Sequence, residues 1–336
     1  MEKKRRFYDI DLLKAVSIIA VIGVHSISTS FSDGSGAGRF LGDLTAFAVP
    51  GLLFASGFLF DKTGTKSGTL IKKLLVRIFP PYIFWSMVIM VFKLPGGSQG
   101  ADALDLKTMV FNLLFGHVVG IYYFVFVITY LYGISFFLKR LSRRGVLWLW
   151  GVLVVITLVF VKNIFFFVPA PERWFMLVLM RHPLVHLLPY LSGWVFFLYR
   201  ESVIERVSSS WIRVGGPVIL IDGILLLSNQ PLAPGALTRL ILQGHIYLAI
   251  FFILWAGSYR LKPVRPIYFL SRISYGLFLL HFPFVRAFQG FFPEETSAFS
   301  ILYSSLALAS GLGGSLFVIY LGKRLLGRYS VYIIGA

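Results

Sequence analysis

Apolar runs long enough to cross a bilayer recur from one end of this 336-residue chain to the other. A hydrocarbon core about 30 Å thick needs roughly 20 apolar residues wound as a helix. Ten runs meet or approach that length, at 10–31, 42–60, 74–92, 121–138, 146–168, 184–199, 212–228, 236–257, 266–288 and 299–321. Only 14% of the residues are charged, against about 25% in a soluble domain, so the chain cannot clothe a water-soluble surface. The expected fold is therefore all-α: a polytopic membrane helical bundle of about ten transmembrane helices. A soluble enzyme and a nucleic-acid-binding domain are excluded. So is a disulfide-stapled secreted module, because the chain has no cysteine.

The net charge of +18 has an explanation that needs no nucleic acid, since Lys and Arg collect in the cytoplasmic loops of membrane proteins. With the amino terminus inside, 24 of the 32 basic residues fall in inside segments and 8 in outside ones. That bias repeats loop after loop and predicts that both termini are cytoplasmic. The segment Leu106–Phe115 is too short to cross and reads as a helix at the outer interface. Lys3–Arg6 followed by Ala15–Val24 also has the outline of a secretory signal peptide. Asp11 and Lys14 inside the first span, 10–31, argue against it, because a disposable segment has no use for buried charge. The loops are short, so one transmembrane domain is expected over 1–336, with no soluble domain. Chemistry must then be done by the helices.

Ionisable groups at membrane depth are costly, and each is a functional hypothesis by default. In the first span, Lys14 and His25 are eleven residues apart, which at 100° per residue returns to within about 20° of the same face. Asp11, three residues before Lys14, shares that face and is expected to form an ion pair with it. One stripe thus carries a charged pair at the cytoplasmic rim and an imidazole about 16 Å deeper. The plainer reading is that Asp11 and Lys14 anchor the helix end and His25 packs in the bundle. In the ninth span, Ser271, Arg272, Ser274, Tyr275, Gly276 and His281 form a second constellation, with Ser274 and His281 on one face. That span runs in the same direction as the first, so His281 should lie at a depth like that of His25; a structural hydrogen bond is the alternative. At the start of the third span, Lys73 and Arg77 precede Pro80-Pro81-Tyr82. An Arg past Leu74 and Leu75 suits a grip on phosphates, although topology alone also explains these cations. Ser56-Gly57, Asp222, Tyr122-Tyr123, Arg181-His182 and His186 are lesser candidates. No metal site is expected, since two histidines without matching carboxylates make a poor zinc site.

These pieces resemble a known family. Asp11-Leu12-Leu13-Lys14-Ala15 with the later His25, Phe54-Ala55-Ser56-Gly57-Phe58-Leu59-Phe60, Arg77-Ile78-Phe79-Pro80-Pro81-Tyr82, and Ser274-Tyr275-Gly276 followed by His281 are similar, in this order, to the motifs of the acyltransferase-3 integral membrane family. The resemblance implies transfer of an acyl group, usually acetyl from acetyl-CoA, to hydroxyls of cell-surface glycans, lipid-linked precursors or other envelope molecules. The family's first-helix histidine maps onto His25 and its basic partner onto Lys14, where Arg is commoner. The first position of the family's Arg-x-x-Arg is Leu74 here, with Lys73 beside it. Tyr122-Tyr123-Phe124 stands where some members show His-x-x-Phe-Leu, which bears on the acceptor more than on the reaction.

The expected mechanism places acyl-CoA, as co-substrate and not as a permanently bound cofactor, at Lys14, Lys73, Arg77 and Arg272. His25 serves as general base, and Tyr275 or His281 orients the acceptor or stabilises the oxyanion. The expected partners are acyl-CoA, an envelope glycan or lipid-linked acceptor and membrane lipids, in a multi-pass cell-membrane protein. A homo-oligomer or a glycan-synthesis complex is the assembly to look for, and no nucleic acid is expected. The rival readings are a transporter or flippase for a glycan or lipid-linked sugar and an inactive scaffold of a polysaccharide synthase.

Overall fold

The computed structural model describes residues 6–27, 36–62, 72, 74–93, 106–157, 183–206, 212–228, 236–259, 261–292 and 300–336. Among these residues there is no strand. The helices are α1 (Tyr8–Ser26), α2 (Gly36–Leu44), α3 (Ala48–Lys62), α4 (Phe79–Lys93), α5 (Leu106–Phe115), α6 (Tyr123–Leu138) and α7 (Arg143–Ile156). They continue with α8 (Pro183–Arg206), α9 (Ile212–Ser228), α10 (Ala236–Tyr259), α11 (Arg265–Phe291), α12 (Ser300–Leu326) and α13 (Ser330–Ile333).

Among the described residues, five segments are long and apolar enough to cross a membrane: Phe40–Phe60, Leu74–Val91, Gly120–Leu138, Ile241–Tyr259 and Ile301–Ile333. They coincide with five of the ten expected runs. Four of the other five differ from them in an identifiable way. Helix α1 carries Asp9, Asp11 and Lys14 within 19 residues. Helix α11 is 27 residues long but its apolar stretch is interrupted by Arg272 and His281, and α9 has 17 residues. The run expected at 146–168 passes outside the described residues after 157. Helices α1 and α11 are also the ones that carry Asp11, Lys14, His25, Arg272 and His281.

The chain divides into two compact units, 1–55 with 199–321 and 336, and 56–198 with 322–335. In the first, α1 packs against α11 and α10. Leu13, Ile18 and Ile22 are fully buried there. Within lipid the surroundings are as apolar as these side chains, so close packing and polar bonds between helices must do the holding. At Gly257 of α10 an added Cβ would meet the Asp9 backbone, so only glycine lets the two helices come this near.

In the second unit the core is aromatic. Phe60 lies edge-on to Trp194 with centroids 5.3 Å apart, and Tyr190 is fully buried, its Oη 2.9 Å from Ser135 Oγ. Helix α5 forms where the short interfacial helix was expected, with Val110, Phe111 and Phe115 exposed. Before α4 the chain winds as a π-helical turn, Leu74–Ile78. Pro80 and Pro81 supply no N–H to continue ordinary α-helical bonding there.

Candidate functional site

Helices α1 and α11 run parallel, because contacts between them climb both chains together. Tyr8 meets Tyr268 at the start, with ring centroids 5.5 Å apart. Asp11 and Lys14 meet Ser271 further along, and His25 meets His281 near the far end. The expectation that the two histidines share a depth rests on this parallel course, and the structure brings them together.

At the near end, the sequence paired Asp11 with Lys14. The structure gives Asp11 a salt bridge to Arg6 at 2.6 Å and joins it to Lys14 through Ser271. The Ser271 hydroxyl donates to Asp11 at 2.5 Å, and its carbonyl accepts from Lys14 Nζ at 2.7 Å. Arg6 comes from the extended stretch before the helix, since its neighbour Phe7 has φ −111° and ψ 111°. The hydrogen bond that Arg6 donates to the Asp11 carboxylate holds its guanidinium above the ordinary pKa. Arg6 also covers the Tyr268 ring at 4.2 Å and donates to the Tyr268 carbonyl.

Two residues before Asp11, about half a turn round α1, Asp9 is 1% exposed. Its Oδ2 accepts from Arg200 Nη2 at 3.0 Å and from Ser258 Oγ at 3.3 Å, while Arg200 lies 4.7 Å over the Phe7 ring. A buried carboxylate held by a guanidinium and a hydroxyl pins the start of α1.

At the far end the imidazoles of His25 and His281 lie 5.5 Å apart, centroid to centroid, tilted by 33°. Phe282 stands edge-on to His25 at the same separation. His281 is fully buried. Its Nδ1 is 3.0 Å from the Leu277 carbonyl; a carbonyl only accepts, so Nδ1 carries the proton. The other nitrogen, Nε2, is buried and has no hydrogen-bond partner among the described residues. A lone pair held without a donor in the interior is chemically available to a hydroxyl or an N–H brought to it.

The remaining expected residues are less concentrated. Arg272 is exposed and Tyr275 half-buried on α11. Arg77 is exposed on the π-helical turn of the second unit. Lys73 lies outside the described residues, as do Arg181 and, of the histidines named from sequence, His182. Tyr122 is fully buried against Tyr82, whose hydroxyl donates to the Leu113 carbonyl at 2.5 Å. His186 is buried beside Tyr123.

Residues 7–321 match the model of the acyltransferase-3 family, described as an acyltransferase domain. The chain belongs to that family. No curated protein and no solved structure matches it. The protein is thus an acyltransferase of a membrane-embedded family, and the apolar helices agree with that setting.

For an acyltransferase-3 protein, the polar groups of the α1–α11 pair fall at two levels: a charged cluster at one end and two imidazoles at the other. Sequence reasoning missed Asp9 and Arg200, which are 191 residues apart and share no helix. It also missed His245. That residue is buried, bonded through Nδ1 to Asp222 at 2.7 Å and through Nε2 to the Leu44 carbonyl at 3.1 Å. Asp222 stands out in the sequence by its place inside the seventh span, but nothing in its own helix points to His245.

Proposed function

We propose that the protein moves an acyl group, acetyl in the simplest case, from acyl-CoA on the cytoplasmic side to a hydroxyl of an envelope acceptor, a cell-surface glycan or its lipid-linked precursor. The setting would be the cell membrane, crossed ten times with both termini inside. The observation that carries this reading is the parallel α1–α11 pair, with Lys14 and Ser271 together at one end and His25 and His281 at the other.

In this reading CoA phosphates contact Lys14 and Arg272. A phosphate meets a cation with charge-assisted bonds. The thioester extends along α1 toward the imidazoles. His25 removes the proton of the acceptor hydroxyl, and the oxygen attacks the thioester carbonyl carbon. The carbonyl π electrons move to oxygen, where the Tyr275 hydroxyl can donate to the developing charge, while the bare Nε2 of His281 accepts from the acceptor hydroxyl and orients it. Collapse of the tetrahedral intermediate breaks the carbon–sulfur bond, and the thiolate takes the proton from His25. The ester and free CoA balance the equation without a redox step.

Purified protein in lipid, given acetyl-CoA labelled in the acetyl group and an envelope extract, should deposit label in an alkali-labile ester. Thioester-independent movement of a lipid-linked sugar across the bilayer, with no ester formed, would favour a flippase instead.

A further inference from the structure

Arg286 lies five residues beyond His281 on α11, nearly a turn and a half further along, and is exposed. Its guanidinium carbon sits 5.1 Å over the Phe282 ring, and Phe282 is the ring that stands edge-on to His25 at 5.5 Å. Arg286 Nη1 donates to Gln289 Oε1 at 3.1 Å. Thus one edge of the fork is tethered and one face is stacked. A guanidinium has five N–H donors, and no carboxylate pairs with this one among the described residues. It lies within electrostatic range of His25. Lys14, by contrast, is at the opposite end of the α1–α11 pair.

We propose that Arg286 selects the acyl acceptor by binding an anionic group on it, a phosphate or a carboxylate, next to the hydroxyl that His25 activates. This deepens the proposed acyl transfer and rests on it for the roles of His25 and of the donor end. Three physical points converge. The fork is preorganised by Phe282 and Gln289, so little side-chain freedom is lost when it grips a planar or tetrahedral oxyanion. The donor is assigned to the Lys14 end, which leaves the Arg286 end for the second substrate. Finally, His25 becomes a cation when it takes the acceptor proton, and an unneutralised guanidinium nearby opposes that step by like-charge repulsion. An anion seated on Arg286 offsets the repulsion, so the correct acceptor would complete the site electrostatically.

The test uses full-length protein in phosphatidylcholine nanodiscs and three dodecyl-chain probes: an uncharged glucoside, a glucuronide and a glucosyl phosphate. Binding is measured directly by calorimetry. The proposal expects at least one anionic probe to bind roughly 10- to 100-fold more tightly than the glucoside, the range for a charge-assisted contact. It further expects Arg286→Gln to abolish that preference, leaving glucoside affinity unchanged, and Arg286→Lys to restore part of it. The two anionic probes separate carboxylate from phosphate recognition. Equal affinities for charged and uncharged probes, or a preference that survives Arg286→Gln, would overturn it. So would a preference that vanishes when phosphatidylglycerol replaces phosphatidylcholine, which would make Arg286 a lipid-headgroup anchor. Label transfer from acetyl-CoA is followed in the same samples. Absence of transfer to any probe alongside intact charge-dependent binding would count against the donor chemistry and leave the anion site standing.

Discussion

Arg200 closes on Asp9 with two nitrogens, Nε at 3.3 Å and Nη2 at 3.0 Å from the same carboxylate oxygen. Asp9 is 1% exposed and the Arg200 side chain 18%, so neither charge can fall back on bulk water if the other is removed. Asp9→Ala should therefore destabilise the folded protein by about 3 kcal/mol, seen as a lower thermal midpoint in detergent. Asp9→Leu combined with Arg200→Met should recover most of that loss, because a buried pair replaced as a unit leaves no orphaned charge. Equal loss in the single and double variants would show that the pair does not anchor α1.

Ser271 allows the two near-end charges to be separated experimentally. Ser271→Ala deletes the hydroxyl that donates to Asp11 but keeps the carbonyl that accepts from Lys14. It should cost about 1.5–3 kcal/mol of stability, the range for a bond to a charged group, with little change in KM for acyl-CoA. Lys14→Ala should raise that KM about tenfold, as expected for one lost cation–phosphate contact. Steady-state kinetics in reconstituted membranes, with acyl-CoA varied, distinguishes the two.

Gly57 and Gly23 should respond in opposite ways to the same substitution. A Cβ at Gly57 would run into the Tyr190 carbonyl, whereas at Gly23 it meets nothing within 4 Å. Gly57→Ala should cost about 1–3 kcal/mol through forced backbone shifts. Gly23→Ala should be neutral, or stabilising by up to about 1 kcal/mol, through better helix propensity. Thermal midpoints of the two variants, compared with wild type, check the contrast.

The part of the site that could be read from sequence is the part written in one helix. Lys14 and His25 share a face because eleven residues make close to three turns, and His281 belongs to an intact motif in α11. Their meeting follows once two histidines lie at one depth on helices running the same way. What escaped was contact between distant segments. Nothing near Asp9 announces Arg200, nothing near Asp222 announces His245, and the Ser271 link depends on where α11 lies against α1. Asp11 shows what helical spacing leaves out. Spacing puts Asp11 and Lys14 on one face, and the extended chain ahead of α1 also folds Arg6 back onto Asp11, which no helical period anticipates. Hydropathy likewise exposed five spans clearly, while the charges in α1 and α11 mask those two helices in the same measure.

The central claim is that His25 carries the proton in acyl transfer, and the most direct measurement is the rate of label transfer from acetyl-CoA by His25→Ala protein reconstituted beside wild type. A general base contributes about 10²- to 10⁴-fold, so the variant should insert and fold normally but lose at least about a hundredfold in turnover, with KM for acyl-CoA little changed. Retention of more than about a tenth of the wild-type rate would contradict the account.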